Sequence, residues 1–362
     1  MAKVLYLTPW YPSERDKMAG LFVQKHVEAV RAQGVDVRVI HSHKWRDMWH
    51  QWRALRRTGW MPDLVQLNVI QKQGVLALLL KRFYHIPYII IEHWSGYLPE
   101  NGEFTRAASP KKYMIRHIAA QAEMILTVSP MLEQAMQRLG FQAKQWKRAK
   151  NVVDDFFYEP TANCQLPTAN SQLPSKKKTL LHISCFDERA KNVFGLLRAF
   201  RVVCLRRNDV RLVLVGTGIN WQDAKNLADE LDFPEGSILF TGEQTPREVC
   251  EWLHRSDAFV LSSRYETAGI VLTEAAATGT PILSTPVGIA PEIVTPETGL
   301  LVPCEIAEHN PRRFAEFIET ILDNTADRKR TEALRKAAEP YSFSAVGKEL
   351  KAIYDSCLHS DI

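Results

Sequence analysis

The sequence predicts an α/β protein made of two doubly wound domains, each a parallel sheet with helices on both faces. Short runs rich in Val, Ile and Leu alternate with helix-length amphipathic segments, the pattern of strands buried on both faces. That alternation stops in a polar, proline-punctuated stretch and begins again after it. A chain of 362 residues is also too long for one small core and fits two domains of ordinary size.

In the first domain, residues 1–158, "VLYLTP" (4–9) reads as a strand. "GLFVQKHVEAVRAQG" (20–34) follows as a helix, with Phe22, Val23, Val27 and Val30 at helical spacing and a stop at Gly34. "VDVRVI" (35–40) is the next strand, and "DLVQLNV", "PYIII" and "MILTVS" read as three more. Residues 159–178 hold a near-duplication, TANCQLP (161–167) then TANSQLP (168–174), without apolar periodicity, and are predicted to be a linker. The second domain, 179–342, carries the strands "TLLHISCF", "VRLVLVG", "SILFTG", "DAFVLSS" and "PILST" with helical segments between them. The last segment, 343–362, places Val346, Leu350, Ile353 and Tyr354 on one helical face that could cover either domain.

Hydrophobic residues make up 46% and charged residues 24%, the balance of a soluble globular protein. No secretory signal is visible in "MAKVLYLTPW", and the longest apolar runs, "GVLALLL" and "IPYIII", are far short of a membrane span. Six cysteines without a CxxC pair argue against a zinc site or a disulfide framework, and for a reducing cytoplasmic setting. Charge is uneven: residues 1–158 hold 23 Lys and Arg against 13 Asp and Glu, and the remainder holds 23 against 28. The basic first half suits an anionic partner such as phosphates or acidic lipid, although a solvated lysine-rich surface has the same composition. Nothing resembles a nucleic-acid-binding motif.

The stretch "RYETAGIVLTEAAATGTPI" (264–282) places two glutamates eight apart around the start of a helix. Thr267 is the expected N-cap and Gly279 the expected C-terminal glycine, so the helix should begin near Ala268. Free N–H groups at such an end, with the helix dipole, attract an anion, usually phosphate. Glu274, about two turns in, points back toward that end and can accept hydrogen bonds from a ribose diol. Glu266, on the loop, would face whatever is attached at the far side of a diphosphate. By spacing alone, two glutamates at this interval are more often solvated than functional.

These residues resemble the E-x7-E signature of the retaining glycosyltransferases of the GT4 family. The surroundings match too: Gly269, "EAAATGTPI", "TPVGIAPEIV" (285–294) and, along the chain, "GLFVQKHVEAVRAQGVDVRVI" (20–40), "TVSPMLEQAM" (127–136), "KNVVDDFFYEP" (150–160) and "GLLVP" (299–303). The resemblance implies a GT-B architecture, two facing Rossmann-like doubly wound domains with a cleft between them. It implies transfer of a sugar from a nucleotide-sugar donor, UDP- or GDP-linked, to a glycan or lipid-linked acceptor, with retention and without a metal or other cofactor.

By the same resemblance, Glu274 binds the ribose, Glu266 lies near the sugar, and backbone N–H groups of Ala268, Gly269 and Ile270 serve the sugar and diphosphate. The family neutralises its leaving diphosphate with an arginine and a lysine. In "SCFDERAKN" (184–192) Lys191 matches the lysine, but Cys185 holds the arginine's position. Arg189 is a nearby candidate to supply the missing charge. His93, at the end of the strand "PYIII", matches a histidine that faces the transferred sugar, and Gly20 matches a loop that approaches the donor phosphates. "GTG" (216–218) lacks the third glycine of a dinucleotide fingerprint, at Trp221, and reads as a strand-end turn near the base pocket.

Breaking an anomeric C–O bond loads negative charge on the diphosphate, which cations and helix N–H groups stabilise. Same-face attack by the acceptor and a covalent intermediate on Glu266 are both compatible with retention. "HKWRDMWHQWRALRRTGW" (43–60) interleaves Trp45, Trp49 and Trp52 with basic residues, a pattern suited either to a membrane surface or to a helix packing its tryptophans inward. Two other functions share the architecture: a nucleotide-sugar epimerase, and a non-catalytic nucleotide-sugar binder to which Cys185 would point.

Overall fold

The computed structural model describes residues 1–14, 16, 18–159, 177–324 and 327–359. Residues 160–176, which hold the near-duplication read as a linker, lie outside the described residues. The chain divides into two units, Met1–Val152 with Pro340–Ile362, and Val153–Glu339.

In the first unit, β1 (Lys3–Thr8), β2 (Asp36–His41), β3 (Leu64–Asn68), β4 (Tyr88–Glu92), β5 (Met124–Thr127) and β6 (Trp146–Arg148) form one parallel sheet in the order β2-β1-β3-β4-β5-β6. Val4, Leu5, Tyr6 and Leu7 are all fully buried, so β1 is an unbroken buried run rather than an alternating one. Helices α1 (Leu21–Ala32), α2 (Trp45–Arg57) and α3 (Gln73–Tyr84) follow β1, β2 and β3. On α1, Val23, Val27 and Val30 face the core as their spacing predicts.

The second unit repeats the plan. Strands β7 (Lys178–Ile183), β8 (Val210–Val215), β9 (Ile238–Gly242), β10 (Ala258–Leu261), β11 (Ile282–Ser284) and β12 (Gly299–Leu301) form a parallel sheet ordered β12-β11-β10-β7-β8-β9. Leu196 and Phe200 of the helix Val193–Arg206 pack with Leu212, Leu214, Phe314 and Ile318 in its core.

Two sequence expectations need correcting, and one open choice is decided. The edge strands β6 and β12, the latter within "GLLVP", are not among the strands that the sequence predicts; three residues at a sheet edge leave no periodicity to detect. The segment Asp155–Tyr158 belongs with the second unit, not the first: Arg247 stacks over Phe156 at 4.8 Å, and the Tyr158 hydroxyl donates to the Ala338 carbonyl at 2.8 Å. The closing helix Phe343–Leu358, left open between the two domains, lies within the first unit and packs on α1.

That helix is fastened by a buried polar chain. The Tyr354 hydroxyl donates to Gln66 Oε1 at 2.6 Å and lies 2.6 Å from the Tyr6 hydroxyl, all three residues being inaccessible to solvent. Tyr354→Phe should lower stability by about 1–2 kcal/mol, because Gln66 loses its donor in a place water does not reach. Urea unfolding measures it, and an unchanged midpoint would show that the hydroxyls contribute no net stability.

Candidate functional site

The carboxyl ends of β7 and β10 carry the first constellation, as expected for an open parallel sheet. Two segments meet there, the turn 184–192 after β7 and the loop 262–269 after β10. They are clamped by the main chain: Arg264 N donates to the Ala190 carbonyl at 2.7 Å, and Ser262 Oγ donates to the Lys191 carbonyl at 3.0 Å. Arg264 completes the clamp with its guanidinium, which bonds the Glu188 carbonyl, the Asn192 amide oxygen at 3.1 Å and Glu308 at 2.8 Å. Arg264 is therefore spent on holding the turn.

The clamp sets Lys191 against Glu266. Lys191 Nζ lies 2.5 Å from Glu266 Oε1, which also accepts from Ser263 Oγ at 2.8 Å. Both charged side chains are mostly buried, with 16% and 11% exposure. Burial alone would lower the Lys191 pKa, but the Glu266 carboxylate and then Cys185 outweigh it and raise the pKa above the usual lysine value. Behind it, His182 bonds the Val260 carbonyl and Ser184 Oγ, and burial, assisted by Lys191, lowers its pKa to about 4. The imidazole is neutral and the ammonium is the local cation.

The helix that follows runs Ile270–Thr278, with Gly279 at its C-terminal end at φ 83°. Its N-cap is Gly269 at φ 81°, not Thr267, and no side chain caps it. A left-handed residue there leaves Thr267 outside the capping position. Among the described residues, none accepts from the N–H groups of Ala268, Gly269, Ile270 or Val271. Gly288 presses on this loop: a Cβ there would lie 2.4 Å from the Ala268 carbonyl oxygen, and Ile289 N donates to that oxygen at 3.0 Å. Glu274 sits one turn after Ile270 on the helix and is half-buried.

Cys185 is a free, exposed cysteine. The "GTG" turn packs on its backbone, a Cβ on Gly218 falling 1.8 Å from the Cys185 carbonyl oxygen. Arg189 is exposed, two residues before Lys191, with its N–H donating to Asp187 Oδ1. Among the described residues, no group of three or more His, Cys, Asp or Glu side chains could hold a metal ion.

The first unit has its own constellation at the ends of β1, β3 and β4. Gly20 caps α1 at φ 68° and lies so close to Trp10 that a Cβ would be 2.3 Å from the Trp10 carbonyl carbon. At the second residue of α1, Phe22 packs against His93 with ring centroids 4.3 Å apart and planes tilted by 38°. His93 is buried and its Nε2 has no partner among the described residues. Burial and then the neighbouring His26 push its pKa well down, so the ring is neutral.

Residues that sequence reasoning missed hold these groups in place: Arg264, Ser263 and Gly288 in the second unit, His26 and Glu92 in the first. The Glu92 carboxylate accepts from the N–H groups of Ile70, His93 and Trp94 at 2.9–3.0 Å and from the Tyr97 hydroxyl at 3.4 Å. A lone glutamate closing the apolar run before His93 was the visible signal.

Two family models match the chain: the glycosyl transferase 4-like domain over residues 7–151 and the glycosyl transferases group 1 over residues 168–339. The chain belongs to the GT4 glycosyltransferases. Among curated relatives of this GT4 chain, N-acetyl-alpha-D-glucosaminyl L-malate synthase of Bacillus anthracis is 29% identical over 250 residues, 68% of this chain and 63% of the relative. The matches to the first curated relatives thus span less than two thirds of their length. Sucrose-phosphate synthase from Thermosynechococcus elongatus has the same fold with a TM-score of 0.81 at 18% identity, all of each chain being covered. Anabaena HepE in complex with UDP and glucose follows, with a TM-score of 0.74 and 17% identity over 98% of this chain and all of the other. These likenesses show the GT-B fold.

Glu92 supplies a pH test. Burial dominates its four hydrogen bonds and raises its pKa from 4.5 to about 7. In the native state the proton is held until pH nears 7, whereas the unfolded chain releases it near 4.5, so its contribution to stability falls as pH rises through that window. The stability of the parent relative to Glu92→Gln should therefore drop by on the order of 2–3 kcal/mol between pH 4.5 and 7.5. Denaturant unfolding at several pH values reads this, and a pH-independent difference would contradict it.

Proposed function

We propose that this GT4 chain is a retaining, metal-independent hexosyltransferase. It would move a sugar from a UDP- or GDP-linked donor to a glycan or lipid-linked acceptor, in cell-surface polysaccharide or glycolipid synthesis. The observation that carries the reading is the Lys191–Glu266 pair beside a helix end whose first N–H groups have no acceptor among the described residues. A protonated ammonium and open N–H groups suit a leaving diphosphate, whose charge grows as the anomeric bond breaks. The HepE structure, of the same fold, was determined with UDP and glucose, which supports a nucleotide-sugar donor.

In this reading Lys191 and the N–H groups of Ala268, Gly269 and Ile270 meet the diphosphate, Glu274 accepts from the ribose, and Glu266 lies at the sugar. His93 and Gly20 take the sugar-facing and phosphate-loop roles that the family resemblance gives them. A neutral imidazole can exchange hydrogen bonds with a sugar hydroxyl without adding charge, which fits the lowered His93 pKa. Arg189 is assigned the second cation. A lipid-linked acceptor would bring a cytoplasmic enzyme to the inner face of a membrane.

Cys185 favours one rival, a non-catalytic nucleotide-sugar binder, because a thiol stands where a cation would stabilise the leaving group. Release of nucleoside diphosphate from UDP- and GDP-sugars, with and without an acceptor mixture, separates the two. Acceptor-stimulated release is expected, reduced at least about tenfold in Glu274→Ala and in Lys191→Ala, one lost charge-assisted bond being worth that much. Nucleotide-sugar binding with no turnover on any acceptor would instead establish the binder.

A further inference from the structure

The tryptophan-rich helix of the first unit divides its aromatic residues between core and surface. On α2, Met48 and Trp52 are buried, with 0% and 1% exposure, whereas Trp45 is 41% exposed. Trp45 stacks on the half-buried Trp49 at 6.4 Å, and Arg53 covers the same indole at 5.4 Å. At the end of α3, Tyr84 packs against Trp52 of α2, and its neighbour Phe83 is 67% exposed. Trp49, Trp52, Arg53, Arg56, Arg57 and Tyr84 line a shallow cavity of about 440 Å³.

Its charge is one-sided. Asp47 is the only acid on α2, and among the described residues no acid pairs with Arg46, Arg53, Arg56 or Arg57. Arg56 is held by the Tyr84 hydroxyl at 2.6 Å, with its guanidinium 5.0 Å from the ring centroid. That leaves Arg53 and Arg57 without a fixed hydrogen-bond acceptor at the cavity. Exposed aromatic rings beside unpaired arginines match the interface of an anionic bilayer, where rings enter the headgroup layer and guanidinium groups meet phosphates. A folded soluble partner would instead need a larger apolar patch than the exposed rings of Trp45, Phe83 and Tyr84 provide.

We propose that the α2–α3 face docks onto an anionic phospholipid surface, with Trp45 and Phe83 in the headgroup layer and a lipid phosphate between Arg53 and Arg57. This deepens the lipid-linked acceptor reading and rests on it for its purpose, but its test does not use catalysis. Among the described residues no helix is long and apolar enough to cross a membrane, so the docking would be peripheral.

Co-sedimentation of the full chain with vesicles of phosphatidylglycerol and phosphatidylcholine, against phosphatidylcholine alone, tests it. Binding should require the anionic lipid, weaken with salt, and fall about 30-fold or more in Arg53→Glu/Arg57→Glu. Trp45→Ser/Phe83→Ser should weaken it while leaving the fold intact, since neither ring is in the core. Inorganic phosphate at millimolar concentration is the soluble-anion arm. No vesicle binding, equal binding to both vesicle types, or phosphate binding without vesicle binding would each overturn the proposal. Titration of the same protein with UDP and GDP keeps the two readings apart: nucleotide binding without vesicle binding removes only the membrane surface.

Discussion

The contact between Lys191 and Glu266 is the constraint around which the second unit's site is arranged. A short ion pair with both partners mostly buried needs its geometry fixed by something else, because neither side chain is stiff. The fixing comes from Arg264, whose guanidinium is tied to Glu188, Asn192 and Glu308 and whose N–H donates to the Ala190 carbonyl, and from the Ser262 hydroxyl, which bonds the Lys191 and Asn192 carbonyls. One arginine is immobilised so that one lysine can stand in a defined place. The same clamp delivers the loop to Gly269, where the left-handed turn leaves the helix end uncapped.

A parallel division of labour holds in the first unit. Glu92 gathers three N–H groups and one hydroxyl and so fixes the turn that carries His93, while Phe22 reaches the imidazole from a helix start that only glycine can occupy. In both units one side chain that gathers several hydrogen bonds organises backbone, Arg264 in the second and Glu92 in the first, and beside Glu92 the His93 Nε2 has no partner among the described residues. Preorganisation of this kind lowers the reorganisation needed when a charged substrate arrives.

Much of the fold was legible because parallel strands covered on both faces write themselves as unbroken apolar runs. The first strand "VLYLTP" and the run "VRLVLVG" needed no context. The edge strands β6 and β12 were not legible, being three residues long and only partly buried. The glutamate pair and Lys191 could be picked out because their spacing belongs to a motif. Arg264 and Gly288 could not, since their roles depend on partners from 20 to 76 residues away that no local pattern announces. In α2 the spacing of three tryptophans showed a stripe, but only packing decided that Trp52 lies in the core and Trp45 at the surface. Thr267 was read as a cap because its type fits; the backbone chose Gly269 instead.

The most direct test concerns the competition that this geometry sets up for Lys191. In the structure its ammonium is engaged by Glu266, and the proposed function asks it to serve a diphosphate. Calorimetric titration of UDP and GDP into the parent, Glu266→Gln and Lys191→Ala decides the matter. The account predicts tighter nucleoside diphosphate binding in Glu266→Gln, because the ammonium is released, and weaker binding in Lys191→Ala. Nucleotide binding that is indifferent to both changes would contradict it, and would move the donor site away from this pair.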